Sequence, residues 1–168
     1  MKQGIPRWTA VAVIVVLATV LVATILVYSY LPRTGPSGAS SGNPPGSNPL
    51  CKGTAACFTD AVTYIVDGDT LDVGSTRIRL ALVNSPEVGQ PGYTEAKQFT
   101  GQTCPVGSSA LVDEDDGQTG GSYGRMIAVV YCDGVNLNAA LLSSGNAVVV
   151  TYYCSVSEFA DDPWTGCP

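Results

Sequence analysis

Residues 62–87 read VTYIVDGDTLDVGSTRIRLALVNSPE. Val62–Val66 is a short apolar run, Asp67-Gly68 makes a turn, and Asp69–Val73 runs back. Asp-Gly between apolar runs is a strong hairpin signal. Thr76–Asn84 alternates and then becomes continuously apolar, as a strand entering a core does, until Pro86 stops it. Tyr93–Thr103 has helical spacing through Ala96, Phe99 and Thr103. Ser109–Asp113 and Met126–Cys132 read as strands joined by a Gly-rich acidic loop, Asn136–Ser144 as an amphipathic helix, and Ala147–Tyr153 as a last strand. Ser155–Pro168 reads as irregular. The order β-β-β-α-β-β-α-β predicts an α+β, mainly β architecture, an OB-fold, the five-stranded partly open barrel, with helices packed on it.

The 168 residues carry 8 Lys and Arg, 14 Asp and Glu and no histidine. Without histidine there is no Ser-His-Asp or Cys-His catalysis and no zinc-protease helix. Acid–base work falls to Asp, Glu, Lys, Tyr or Cys. From Cys51 onward five basic residues face all fourteen acids, a formal charge of about −9. The run Asp113, Glu114, Asp115 and Asp116 is expected to repel long DNA.

Upstream, Trp8–Leu31 is 24 residues without a charge. A bilayer core needs roughly 20 helical residues. Lys2 and Arg7 precede the run, Tyr28 and Tyr30 close it, and only Arg33 follows nearby. The positive-inside rule puts the amino end in the cytoplasm and the remainder outside. The expected organisation is a membrane anchor over 1–31, a linker over 32–50 with five Pro, four Gly and four Ser, and a folded domain over 51–168. Cleavage of the first segment would release the domain as a secreted protein.

Four clusters can carry chemistry. Asp67 and Asp69 place two carboxylates at the mouth of a turn, where hard cations are bound. Arg79 lies between apolar residues of a core strand, which is costly unless an anion meets it. Asn84-Ser85-Pro86-Glu87 offers an amide oxygen, a carbonyl and a carboxylate within four residues. Tyr123-Gly124-Arg125 opens a strand.

Together these motifs resemble the thermonuclease family, the calcium-dependent staphylococcal-nuclease-like OB-fold phosphodiesterases. VDGDT at 66–70, RLALVNSPE at 79–87 and YGR at 123–125 stand in the family's order and near its spacing, and VNLNAALLSSGNA at 135–147 resembles the helix that follows. The resemblance covers about residues 60–160. It implies that Asp69, Asn84 and the Ser85 carbonyl ligate Ca2+, with Asp67 close behind. It implies Glu87 as the general base and Arg79 and Arg125 on the phosphate. Tyr123 is implied near the substrate phosphate and Tyr153 in the base pocket. DNA and RNA are the implied substrates, and no protein partner is expected. The family usually has aspartate where this chain has Asn84, and a second base-pocket tyrosine where it has Thr151. The alternative reading is a catalytically weak OB-fold binding module that keeps the cation site.

Six cysteines, all after residue 50, read as disulfides of an oxidising compartment. Fifteen pairings are possible. Cys104 follows the first helix and Cys132 ends a strand of the same sheet, so these two are paired here. Cys154 and Cys167 bracket the tail, where the prototype family has a further helix, and Cys51 is left with Cys57.

Overall fold

A computed structural model describes residues 48–168 of the chain. The expected anchor and most of the linker lie outside the described residues. Among the described residues no helix is long and apolar enough to cross a membrane.

Eight strands and two α-helices follow in the order β1 Cys57–Ile65, β2 Thr70–Val73, β3 Thr76–Leu80, β4 Val83–Asn84, α1 Tyr93–Thr103, β5 Ser109–Glu114, β6 Met126–Cys132, β7 Val135–Asn136, α2 Leu137–Ser143 and β8 Val148–Val149. Strands β3, β2, β1, β5 and β6 are successive antiparallel neighbours, and a parallel β3–β6 pairing closes the ring. The result is the expected α+β, mainly β, OB-like five-stranded barrel. Strand β6 is central to it. Ala128, Val130 and Cys132 face the barrel interior, while Ile127, Val129 and Tyr131 face a second cluster around Phe159 of the C-terminal segment. Both faces of β6 are therefore buried, which explains its unbroken apolar sequence.

Asn138, fully buried in α2, fastens the closure. Its amide oxygen accepts from Val130 N at 3.1 Å, and its amide nitrogen donates to Ala81 O at 2.9 Å and Ala128 O at 3.2 Å. The chain enters α2 through Asn136, whose side chain accepts from Ala139 N at 2.9 Å. The cysteines pair as expected: Cys51–Cys57, Cys104–Cys132 and Cys154–Cys167.

Two expected strands are shortened, for identifiable reasons. Thr76–Asn84 is broken by a turn at Ala81-Leu82, where Leu82 takes a φ of 61°. A bulky residue rarely adopts that conformation. Here the Leu82 side chain is buried against the second cluster and its carbonyl accepts from Val150 N at 2.8 Å. Ala147–Tyr153 pairs over only Val148 and Val149, opposite the two residues of β4. Beyond Val150 no strand among the described residues pairs with the chain, and Thr151–Tyr153 closes into a 3-10 turn with local bonds.

Candidate active site

The Asp67–Thr70 turn joins β1 to β2. Asp67 accepts from Asp69 N at 3.0 Å, and Val66 N and Asp67 N donate to Thr70 O. Gly68 is required by crowding rather than by a positive φ: a Cβ there would stand 2.7 Å from Ala96 Cβ and from Ser85 Cβ. Thr100 of α1 donates its hydroxyl to Gly68 O at 2.5 Å. Helix α1 thus clamps the turn, and the turn presents Asp69 inward, 3% exposed.

Asp69 is the hub of the polar cluster. Its Oδ1 meets Arg79 Nη1 at 2.7 Å, and its Oδ2 accepts from Ser85 N at 2.5 Å. Burial raises the Asp69 pKa, opposed by the Arg79 charge and the Ser85 N–H. Arg79 also donates from Nη1 to Val83 O at 2.7 Å and from Nη2 to Asn84 Oδ1 at 3.0 Å. The Leu82 turn makes this possible, because it folds β4 back so that Val83 and Asn84 come around the end of the Arg79 side chain. The Val83 carbonyl is a part of the cluster that sequence reasoning missed, since no side-chain pattern marks a backbone acceptor.

Arg125 arrives from the other side. Ser122 and Arg125 exchange both backbone hydrogen bonds across Tyr123-Gly124, whose φ values are 51° and 75°. That is the two-residue hairpin geometry with both central residues at positive φ. Arg125 Nε donates to Ser122 O at 3.0 Å, which holds the side chain over its own loop. Arg79, Asn84, Arg125 and Tyr153 share the lining of one cavity of about 550 Å³, whose floor includes Gly117 and Ser122. Gly117 lies against the tail: a Cβ there would stand 1.8 Å from Val156 O. The acidic Gly-rich loop therefore leans on the segment stapled by Cys154–Cys167, and its presence in the cavity lining was not legible from its composition.

The expected residues do not all converge. Arg79, Asn84, Arg125 and Tyr153 do. Asp69 sits behind Arg79, with Asp67 at its turn. Tyr123 is 97% exposed, at the tip of its turn, outside the lining of this cavity. Glu87 is exposed and is not in the lining either. Its backbone is held in a turn by Glu87 N donating to Gln90 Oε1 and Gln90 N donating to Glu87 O, each at 2.9 Å. Glu87 stands three residues beyond Asn84, past Pro86, on the turn that leads away. Ser85 donates its N–H to Asp69.

A family model described as Staphylococcal nuclease homologue matches residues 77–162. The chain belongs to this family. The matched segment runs through Arg79, Asn84, Glu87, Tyr123, Arg125 and Tyr153, while Asp67 and Asp69 lie just ahead of it. Among its relatives, the micrococcal nuclease of Shigella flexneri is 30% identical over 111 residues, 58% of this chain and 62% of that one. The endonuclease YncB of Bacillus subtilis is 29% identical over 105 residues, 57% of this chain and 50% of that one. An uncharacterised Bacillus anthracis protein is 32% identical over 98 residues, 52% of this chain and 45% of that one. The chain spans about half the length of the first curated relatives it matches.

In this staphylococcal nuclease homologue the cluster can do two things. Two guanidinium groups facing one cavity suit the paired oxygens of a phosphate. Arg79 is surrounded by oxygens of Asp69, Val83 and Asn84, with the Asp67 carboxylate at the Asp69 turn, and such oxygens fit a hard cation such as calcium. The Arg79 fork now takes Asp69 Oδ1 and Asn84 Oδ1, so a cation on those oxygens would compete with it.

Proposed function

We propose that the chain hydrolyses phosphodiester bonds of DNA and RNA in a calcium-dependent reaction. The supporting observation is the cavity that Arg79 and Arg125 share in an otherwise acidic domain. Hydrolysis puts developing charge on the non-bridging oxygens of the phosphate, and preorganised donors aimed there lower the barrier. Arg79, fixed by Val83 O and Asn84, and Arg125, fixed by Ser122, are such donors. Asp69 and Asn84 would hold the calcium ion, which when bound supplies positive charge to the phosphoryl oxygen. Glu87 takes the proton of the attacking water as it adds to phosphorus, and the bridging P–O bond breaks toward the leaving hydroxyl. Tyr153, half exposed in the cavity wall, offers a ring face to the nucleotide base. Residues 8–31 would tether the domain outside the cytoplasm, a compartment that suits three disulfides.

The test is degradation of single-stranded DNA and RNA by the full, oxidised chain in millimolar calcium and in chelator. Cleavage in calcium, abolished by chelation and reduced about 10²-fold in Glu87→Ala, is the expected result. The position of Glu87 outside the cavity favours the rival reading, a module that binds nucleic acid without turnover. Binding with no cleavage in calcium would decide for that rival.

A further inference from the structure

Positive charge in the folded part is scarce and gathered in one place. Of the five basic side chains after Cys51, Lys52 is paired with Asp162 and Lys97 lies over the Tyr64 ring. The other three are Arg77, Arg79 and Arg125. Arg77 and Arg79 are alternate residues of β3, on the face opposite the buried Ile78, and about 7 Å apart at the rise of an extended strand. That spacing is comparable with successive phosphates of an extended nucleic-acid strand. Strand β6 pairs alongside with Met126 opposite Ile78, so Arg125 comes in next to them.

Arg125 lines two recesses. One is the cavity it shares with Arg79. The other is a shallower cleft of about 370 Å³ lined by Asp72, Ser75, Arg77, Tyr123 and Arg125. Tyr123 is fixed at the tip of its turn by positive φ, with its ring in water and the Arg125 guanidinium 5.9 Å from the ring centroid. An aromatic face presented to solvent beside two guanidinium groups is the arrangement that stacks an unpaired base. Arg77 donates from Nε and Nη2 to Asp72 at 2.7 and 2.9 Å, leaving Nη1 without a protein partner among the described residues. Asp72 orients the fork and damps its charge, but it does not exhaust its donors.

We propose that this cleft is a second nucleotide subsite for single-stranded nucleic acid, in which Arg77 holds the phosphate adjacent to the one at Arg79 and Arg125, and Tyr123 stacks the base. The inference rests on the reading of the Arg79–Arg125 cavity as a phosphate site. A duplex does not satisfy it, because its bases are already stacked on one another.

The experiment is fluorescence anisotropy with the full, oxidised chain in chelator, using labelled thymidine dinucleotide and an oligothymidylate of about 12 nucleotides, within the range of about 4–16 that one OB-fold covers. Arg77→Ala is expected to weaken binding of the oligomer about tenfold, the loss of a hydrogen bond to a charged group, and to leave the dinucleotide unchanged. The slope of log affinity against log salt should become shallower by about 0.7. Arg77→Lys should restore part of the affinity, and Asp72→Asn, which frees the Arg77 charge, should tighten the oligomer. No binding of the oligomer by the parent chain, no effect of Arg77→Ala, or an equal effect on both lengths would overturn the proposal. Length-dependent binding with no hydrolysis in calcium would remove the nuclease reading and leave the subsite standing. Hydrolysis by a parent chain whose affinity is indifferent to Arg77→Ala would do the reverse.

Discussion

The barrel treats its carboxylates in two opposite ways. Around the cavity, Asp69 faces a guanidinium that itself lines the open space. At the end held by the Cys51–Cys57 and Cys154–Cys167 bridges, carboxylates serve the backbone. Asp115 is fully buried and accepts from Gly117 N, Glu158 N and Gln118 Nε2. Asp116 accepts from Thr54 N and Ala55 N, which hold its pKa below the usual range. Glu158 accepts from Asp116 N at 3.0 Å, and burial raises its pKa. Asp113, fully buried, accepts from Lys52 N at 2.8 Å, and its other oxygen has no partner. The run 113–116, which in sequence reads as a patch repelling DNA, is therefore largely internal fastening. A formal charge count does not say where charge goes. Two of these four acids are hidden, and a third is spent on peptide N–H groups.

If the two regions differ as described, changes at the cavity should alter rate and leave stability, and changes at the stapled end should do the opposite. The largest effect expected is on rate. Arg125→Ala removes a donor bonded only within its own loop, so kcat for DNA should fall about 10²–10³-fold with little movement of Tm. A Tm loss as large as that from a core truncation would break the distinction.

Next in size is the Cys104–Cys132 bridge. It closes the longest of the three loops, at a sequence separation of 28. Replacing both residues by Ser should cost about 3.5 kcal/mol, more than losing Cys154–Cys167 or Cys51–Cys57, by the loop-entropy relation. Thermal melts of the three double variants would show whether that order holds, and kcat measured well below each Tm should not follow it.

Asn84→Asp sharpens the cavity side of the comparison. It adds a carboxylate at an oxygen already turned toward Arg79. The calcium concentration for half-maximal activity should fall about tenfold, since ligand charge tunes affinity. An unchanged calcium requirement would remove residue 84 from the ligand set.

The smallest effect is a pH slope. Burial lifts the Asp113 pKa to about 6, above the usual carboxylate range. A group whose folded pKa is raised stabilises the fold at low pH, and that contribution is lost as pH climbs from about 4 through about 6. Lys52 N–H works against the shift, and Glu158 and Asp116 add to it. Asp113→Asn should flatten the dependence of Tm on pH across that window and leave the activity profile in place.

Much of this was legible in the sequence because it depends on local pattern. Hydrophobic period gave α1 at Tyr93–Thr103 and the apolar run of β6. The motif spacing placed Asp69, Arg79, Asn84 and Arg125 in one region. What stayed hidden depends on contacts made across the chain. The Leu82 turn exists because a buried side chain and Val150 N outweigh an unfavourable φ. The end of β8 is set by the length of its partner, β4. Glu87 leaves the cavity through a turn fixed by Gln90, and nothing in Asn84–Glu87 announces that direction.

The Asn138 amide has a consequence for the order in which the barrel assembles. Strand β6 and helix α2 are close in sequence, so the bond from Val130 N to Asn138 can form early and locally. The pairing of β3 with β6 joins distant parts of the chain, and such contacts carry a larger closure entropy. When β3 arrives, Ala81 O meets an amide that β6 and α2 already hold in place, so the last gap is met by a preset donor instead of a fluctuating one. Ring closure is then late but abrupt. A chain in which β3 has not yet docked leaves the Ala81 carbonyl and one N–H of that amide without each other, a cost that disfavours lingering half-open.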